Sequence, residues 1–129
     1  MSFHDVDYFE LKVYAEDTDF MGIVYHANYL RFFERARTEM IRKSGLSLTT
    51  LAQYDCHFAI NDVRLRYFFP ARLEDQLMVA SKVTNKKTCS LVFDQRLYNQ
   101  DNTLLCEGLI KVVCLDETMK PRRIPENLF

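Results

Sequence analysis

One short segment of the sequence carries most of the side chains that could do chemistry. Residues 16–29 read EDTDFMGIVYHANY and hold three carboxylates, including Asp17 and Asp19, together with His26 and Asn28. A carboxylate beside a reacting carbonyl can act as a general base or as a nucleophile. The segment leads into an amphipathic pattern, and a helix N-terminus there would present unpaired N–H groups that polarise a carbonyl or bind an oxyanion. These are the minimum parts for acyl transfer.

Each of these residues also has a structural interpretation, which composition and spacing alone favour. Asp17 and Asp19 could form an Asx turn that satisfies the loop backbone. Asn28 could be the helix N-cap, and His26 could be a core histidine bonded to a backbone carbonyl. The sequence contains no Gly-rich phosphate loop, no G-x-S-x-G string and no H-E-x-x-H string, so these signatures offer no competing assignment.

The hydrophobic spacing after this segment predicts one long helix, from about residue 24 or 28 to residue 44. Apolar side chains recur at the i, i+3, i+4 and i+7 positions of one helix face: Tyr29, Phe32, Phe33, Ala36, Met40 and Ile41. Gly45 supplies a C-terminal stop, and residues 47–53 are expected to add a short helical turn. So wide an aromatic stripe indicates a helix that is mostly enclosed.

The rest of the sequence alternates in the manner of β-strands. Residues 8–14 form one such segment, and four more follow after about residue 58, with turns expected at residues 85–87 and 99–102. Because strands and helix are segregated along the chain, the pattern predicts an α+β fold rather than an α/β fold. We expect a long antiparallel sheet curled around the helix, with open edges that favour pairing with a second copy.

Composition limits the class of protein. The chain has 129 residues, 48% of them hydrophobic, and a formal net charge of −1. This composition predicts one globular domain over residues 1–129 and excludes intrinsic disorder, and the balanced charge argues against a protein that coats nucleic acid. No apolar run approaches the roughly 20 residues of a membrane helix, and the N-terminus lacks the features of a signal peptide. We therefore expect a cytoplasmic protein.

The four cysteines are Cys56, Cys89, Cys106 and Cys114, and they form no C-x-x-C pair. Apart from the adjacent Cys56 and His57, none lies near a histidine at zinc-finger spacing. We interpret them as small buried side chains in a reducing compartment. The sequence therefore predicts no disulfide and no metal site.

Several strings within and beyond the acidic segment form one pattern. They are VYAEDTD at residues 13–19, GIVYHANY at 22–29, FERAR at 33–37, PARL at 70–73, SLVF at 90–93 and MKPR at 119–122. Together they resemble the YbgC branch of the 4-hydroxybenzoyl-CoA thioesterase family, whose hotdog fold wraps a sheet around one long helix. The resemblance spans nearly the whole chain and agrees with the element order derived above.

The resemblance implies a role for each residue of the acidic segment. Asp19 would act on the thioester carbonyl, either by attacking it or by activating water, with the carbonyl oxygen near the backbone N–H of His26. The His26 side chain would assist the reaction. Tyr25, Asn28 and Gly22 would form and hold the substrate pocket.

Other residues receive weaker assignments from the same resemblance. Asp17 would be structural, and Lys86 and Lys87 would form a basic hairpin tip for the phosphates of coenzyme A. Further basic candidates are Arg64, Arg66, Arg122 and Arg123. A second branch of hotdog thioesterases uses a glutamate on the central helix, which here would be Glu34 or Glu39. Asp19 is favoured because its motif is complete.

The resemblance thus implies an acyl-CoA thioesterase that hydrolyses a small acyl-CoA with no metal and no redox cofactor, coenzyme A being part of the substrate. Two alternatives stay open: a thioesterase for acyl groups on acyl carrier protein, and a non-catalytic hotdog module that binds acyl thioesters. We expect no nucleic-acid partner, and a homo-oligomer in the form of a homotetramer built from dimers.

Overall fold

The structure, a computed structural model, describes residues 5–129 and has the predicted succession of strand, long helix and four strands. The elements are β1 (Asp7–Lys12), a 3-10 turn (Ala15–Asp17), α1 (Asn28–Lys43), α2 (Leu48–Gln53), β2 (His57–Tyr67), β3 (Gln76–Lys86), β4 (Ser90–Tyr98) and β5 (Leu104–Leu115). The five strands form one antiparallel sheet in the order β1-β3-β4-β5-β2, which confirms the α+β class.

Helix α1 is the centre of the core. It begins at Asn28 and ends at Lys43, as its apolar stripe predicts, and the side chains of Phe32 and Phe33 are fully buried. The helix stops before Gly45, whose φ of +93° is a left-handed conformation that glycine adopts without a Cβ penalty. Helix α2 occupies the predicted short helical turn.

The inner face of the sheet packs on α1. Alternate residues of β3, β4 and β5 are buried, among them Leu77, Val79, Leu91, Phe93, Cys106 and Ile110. Gly108 of β5 lies at a point of close approach, because a Cβ there would be 2.8 Å from Leu65 and 3.2 Å from Phe33. A Cβ at this position would displace the end of the Leu65 side chain and crowd the Phe33 ring of α1, so glycine allows the closest packing here.

The β3–β4 hairpin turns later than the sequence predicts. The N–H of Lys87 donates to the carbonyl oxygen of Ser90 at 2.9 Å, which places the turn at residues 87–89 instead of 85–87. A register shift near the end of β3 interrupts the alternation of apolar and polar residues there. The sequence pattern therefore does not indicate that the last residues of β3 belong to the strand. The β4–β5 turn lies at residues 99–102, as predicted.

Strands β1 and β2 are the two edges of the sheet. β1 has six residues, whereas β2 has eleven and is exposed along most of its length, with Ile60 54% exposed and Tyr67 49% exposed. A long edge that carries apolar side chains is a surface that proteins ordinarily cover or protect.

Three of the four cysteines are buried, as the sequence predicts, whereas Cys89, just before β4, is only partly buried. Cys56, Cys106 and Cys114 lie in the core, and the Sγ atoms of Cys56 and Cys114 are 2.6 Å apart as free thiols. Desolvation by burial raises the pKa of Cys106 and of Cys114 to about 12. These two thiols are therefore protonated at neutral pH.

Neither helix of the described chain has the length and hydropathy that crossing a membrane requires.

Candidate active site

The residues around Asp19 form a tight β-hairpin ahead of α1. The N–H of Asp19 donates to the carbonyl oxygen of Ile23 at 2.9 Å, and the N–H of Tyr25 donates to the carbonyl oxygen of Asp17 at 3.1 Å. The chain turns back at residues 20–22 and returns directly into the first turn of the helix. We call this segment, residues 17–25, the acidic hairpin.

Gly22 makes the turn of the acidic hairpin possible. Its φ of +76° lies in the left-handed region, and its N–H donates to the carbonyl oxygen of Asp19 at 3.1 Å. The Gly22 carbonyl oxygen accepts from the N–H of Leu73 at 3.0 Å, and the N–H of Val24 donates to the carbonyl oxygen of Ala71 at 2.8 Å. The acidic hairpin is thereby fixed to the segment that joins β2 to β3.

Asp17 holds the hairpin together from inside. Its side chain is buried, and Oδ2 accepts a hydrogen bond from the N–H of Tyr14 at 2.9 Å. Its carbonyl oxygen accepts from Nδ2 of Asn28 at 2.9 Å. Asn28 is the first residue of α1 and Ala27 is the N-cap, so the N-cap interpretation of Asn28 is wrong. The Asn28 amide instead ties the helix to the hairpin.

Asp19 forms an Asx turn and keeps one carboxylate oxygen open. Its Oδ1 accepts from the N–H of Met21 at 2.8 Å, and the residue is half-buried. Oδ2 has no donor among residues 5–129. A carboxylate that is positioned through one oxygen can still attack a carbonyl, or take a proton from water, with the other.

The N-terminal end of α1 presents open backbone donors. No side chain caps this helix, and the N–H groups of His26 and Ala27 find no acceptor in the described part of the chain. The end of a helix carries a partial positive charge of about half an elementary charge. These N–H groups can therefore receive the oxygen of a polarised carbonyl. The His26 side chain is exposed, so the core-histidine interpretation is wrong.

Two tyrosines that the sequence analysis did not assign to the site support this end of the helix. The hydroxyl of Tyr67 donates to the carbonyl oxygen of His26 at 2.9 Å, and the hydroxyl of Tyr29 accepts from the N–H of Ala71 at 3.0 Å. The two rings meet edge to face with centroids 5.2 Å apart. Desolvation raises the pKa of Tyr29 and of Tyr67, so both hydroxyls stay protonated at neutral pH. No local sequence signal links β2 to His26, 41 residues earlier.

Exposed apolar side chains lie on the acidic hairpin and on the β2–β3 segment bonded to it. Phe20 is 99% exposed, and the others are Met21, Tyr25, Phe68, Phe69 and Leu73. The Tyr25 and His26 rings are in contact, with centroids 4.5 Å apart. Exposed apolar side chains on two joined segments, beside open backbone donors, are typical of a ligand or partner site.

The structure does not bring the two lysines to the acidic hairpin within one chain. Strand β3 begins beside the segment that holds the hairpin, and its eleven residues extend about 33 Å to Lys86 at the other end of the sheet. Lys86 Nζ donates to the carbonyl oxygen of Leu128 at 2.7 Å, whereas Lys87 is exposed. The four arginine candidates each have a carboxylate oxygen within 4.0 Å, on Asp62, Glu107, Asp55 and Glu126 in turn.

The two helix glutamates also lie away from the N-terminus of α1. Glu34 comes six residues after Asn28, which is about 9 Å of helix rise. Glu39 is further along and has Arg42 Nε at 3.7 Å. The open carboxylate of Asp19, by contrast, lies on the hairpin that continues directly into the free N–H groups.

A long helix packed on a curled antiparallel sheet is the architecture of the hotdog fold. Residues 13–128 match the sequence model of the Thioesterase-like superfamily, and the chain belongs to this superfamily.

Named relatives agree with this assignment. The chain is 44% identical over 119 residues to the acyl-CoA thioester hydrolase YbgC of Escherichia coli O6:H1, covering 92% of this chain and 89% of the relative. It is 39% identical over 122 residues to the acyl-CoA thioesterase YbgC of Haemophilus influenzae, covering 93% and 89%. A probable thioesterase from Bartonella henselae has a crystal structure that matches with a TM-score of 0.89 at 30% identity, covering 94% of this chain and 100% of that chain. The family resemblance and the hotdog fold are confirmed.

Proposed function

We propose that this chain hydrolyses acyl-CoA thioesters to a free acid and coenzyme A, with Asp19 as the nucleophile or the general base. One observation carries the proposal: the acidic hairpin that bears the open Asp19 carboxylate continues directly into the N-terminal end of α1, where the N–H groups of His26 and Ala27 have no acceptor in residues 5–129. A thioester whose carbonyl oxygen accepts from these groups is polarised at its carbon. That carbon then faces a carboxylate.

Two routes lead to the same products. In the first, the open oxygen of Asp19 bonds to the carbonyl carbon, the C–S bond breaks, coenzyme A leaves as a thiolate that takes a proton, and water hydrolyses the anhydride. In the second, water bonds to the carbon while Asp19 takes its proton, which then passes to the leaving sulfur. The exposed His26 imidazole is the group that assists these proton transfers.

Three residues would form the substrate pocket around the reacting carbon. Gly22 keeps the hairpin tight, and no atom lies within 4 Å of where its Cβ would be, so a thioester could approach the backbone. Tyr25 is 49% exposed and offers an apolar wall beside His26. Asn28 holds the hairpin against the helix through its bond to Asp17.

A second copy of the chain would complete the site. The Tyr67 end of β2 lies next to His26 of the same chain. Antiparallel pairing of two β2 edges would place this end beside the His57 end of β2 in the second copy. The β3–β4 hairpin lies at the His57 end of the sheet, because His57 pairs with Leu115 and Ser90 pairs with Val113. Lys87 of one copy, supported by Lys86, would then approach the acidic hairpin of the other and hold the phosphates of coenzyme A.

The proposed assembly is a homodimer through β2, and two such dimers form a homotetramer. The exposed apolar side chain of Val63 and the unpaired edge of β2 support the dimer contact. The sequence has a net charge near zero, so no long-range repulsion opposes association.

The experiment that tests the function is release of free thiol from a panel of acyl-CoAs and acyl carrier proteins, run in EDTA. We expect hydrolysis of acyl-CoA in EDTA, because the chain's own groups supply both the attack and the polarisation and no cofactor is needed. Hydrolysis of the carrier-protein substrates alone would reassign the substrate. Binding of acyl-CoA without thiol release would indicate a non-catalytic module, and a loss of activity that zinc restores would contradict the metal-free mechanism.

A further inference from the structure

A cavity of about 230 Å³ lies between α1, α2 and the inner face of the sheet, away from the acidic hairpin. Its walls are mostly apolar and include Ile41, Leu48, Phe58, Ile60, Phe93 and Val112. The polar residues of its lining are Glu34, Arg37 and Thr38, all on α1. Arg37 comes nine residues after the start of the helix, about 14 Å of rise from it.

Arg37 is a buried cation whose only hydrogen-bond partner is neutral. The residue is 7% exposed, and within residues 5–129 no carboxylate oxygen lies within 4.0 Å of its guanidinium. Its Nη1 donates to Oε1 of Gln95 at 3.0 Å. The Gln95 amide faces Arg37 with its oxygen because Nε2 donates to the carbonyl oxygen of Phe33 at 2.9 Å, and that oxygen can only accept. Gln95 therefore satisfies one donor, and the guanidinium also lies over the Phe93 ring, 6.0 Å from its centroid. Neither contact supplies an anion to pair with the charge.

The remaining donors of Arg37 have no acceptor among the described residues. A guanidinium carries five N–H donors, and Nη1 alone is bonded to the protein. Desolvation lowers the pKa of Arg37 from its ordinary value and nearby Glu34 raises it, but an arginine stays charged at neutral pH. Buried charges are ordinarily paired or bound to a ligand, because an unpaired charge in an apolar interior is costly. These donors belong to a side chain that lines the cavity.

We propose that this cavity binds a small carboxylic acid with an apolar body, whose carboxylate pairs with Arg37. The planar fork of a guanidinium matches two carboxylate oxygens. A water molecule, which has one non-hydrogen atom, occupies roughly 30 Å³ in the liquid. At that volume per atom the cavity holds about eight non-hydrogen atoms, which is the size of hexanoate. Free acids are also the product class of the proposed thioester hydrolysis, but the binding inference does not depend on that reaction.

Glu34 is the anion that competes with such a ligand. It lines the same cavity three residues before Arg37, is exposed, and forms no ion pair with Arg37 in the described chain. Glu34 and Arg37 are the two charged residues of the lining. Removing the charge of Glu34 is therefore expected to strengthen carboxylate binding.

Calorimetric titration of the full chain with hexanoate, 1-hexanol and hexylamine tests the proposal. We expect hexanoate to bind at least about tenfold more tightly than either of the other two probes, which is the range of a charge-assisted hydrogen bond. Glu34→Gln is expected to tighten hexanoate binding about threefold or more. Arg37→Met is expected to abolish it, although this variant also leaves the Gln95 oxygen without a donor.

A matched pair of variants locates the site even where Arg37→Met does not fold. Thr38→Asp places a negative charge in the lining, which repels a carboxylate, and is expected to weaken hexanoate binding at least about tenfold. Thr38→Asn introduces a side chain of the same shape as aspartate without the charge, and is expected to keep hexanoate binding within about threefold. Equal binding by the two Thr38 variants, equal affinity for hexanoate and hexanol, or no binding of millimolar hexanoate would overturn the proposal. The titration uses free acid and is repeated on Asp19→Asn, so its outcome is separate from that of the thioesterase assay.

Discussion

At the scale of single residues, two aspartates of one short motif have different surroundings. Asp17 is buried and its side chain accepts the N–H of Tyr14, whereas Asp19 is half-buried and keeps one oxygen open. A buried, bonded carboxylate contributes to folding, and an open one is available for chemistry. The two residues are of the same type, so their position in the acidic hairpin determines which of them is structural and which is available for chemistry.

Tyr67→Phe tests whether the peptide of His26 is positioned from β2. The substitution keeps the ring against Tyr29 and removes the hydroxyl that donates to the His26 carbonyl oxygen. We expect kcat to fall about fivefold with little change in KM, which is the size of one hydrogen bond near 1 kcal/mol. Tyr54→Phe is the control, because Tyr54 is the exposed C-cap residue of α2 and its hydroxyl contacts no residue of the site. Wild-type kcat in Tyr67→Phe would remove Tyr67 from the site.

At the scale of elements, the acidic hairpin and the N-terminus of α1 form one unit. The hairpin is bonded to the β2–β3 segment through Gly22 and Val24, and to the helix through Asn28. The unit therefore depends on backbone conformation as much as on side chains, and its sharpest requirement is the left-handed turn at Gly22.

A comparison of Gly22 with Gly45 distinguishes the effect of backbone strain on stability from an effect on catalysis. Gly22 and Gly45 both have positive φ with open space around the missing Cβ, but only Gly22 belongs to the acidic hairpin. We expect Gly22→Ala and Gly45→Ala each to lower the free energy of unfolding by about 1–2 kcal/mol, the cost of a left-handed conformation in a residue with a Cβ. Urea unfolding measures this loss. Only Gly22→Ala should also lower kcat, and the reverse pattern would contradict the role of the hairpin.

The elements were largely predictable from sequence because their signals are local. The stripe of α1 and its stop at Gly45 follow from neighbouring residues, and so does the proximity of Asp19 to the helix start. The end of β3 was misplaced because a register shift interrupts its alternation. Tyr67 and Gln95 were missed because their contacts join residues far apart in the chain, and no local pattern encodes them. Gln95 even occupies an inward position of β4, where alternation predicts an apolar side chain.

At the scale of the whole molecule, the edge strand β2 is the part of the sheet that a single chain leaves exposed and unpaired on one side. Pairing of two β2 edges would cover both the free backbone groups and the apolar side chains of this strand, and it accounts for a dimer. We expect sedimentation to show two such dimers joined in a homotetramer, with four times the 15.3 kDa mass of the chain. A species of 15.3 kDa alone at micromolar concentration would contradict the assembly.

Lys87 tests whether a second copy holds the nucleotide end of the substrate. Lys87→Gln, made alone because Lys86 is bonded to the C-terminal backbone, is expected to raise KM for acyl-CoA severalfold and to leave kcat nearly unchanged. Binding of the phosphates is the same in ground and transition states, so its loss appears in KM. Added salt should raise the wild-type KM in the same direction. Lys12→Gln, an exposed lysine of β1, is the control. Normal KM with reduced kcat would place the nucleotide elsewhere.

The most direct test of the proposed thioesterase is kcat of Asp19→Asn, measured beside Asp17→Asn with circular dichroism to verify folding. Asp19→Asn keeps the shape of the side chain and removes the anionic oxygen, so kcat should fall at least about 100-fold while binding of acyl-CoA is retained. Asp17→Asn should lower the free energy of unfolding by about 1–3 kcal/mol and keep most of its activity, because it replaces a buried anionic acceptor by a neutral amide and removes no reacting group. A folded Asp19→Asn that retains more than about a tenth of wild-type kcat, or a folded but inactive Asp17→Asn, would contradict the proposed role of Asp19.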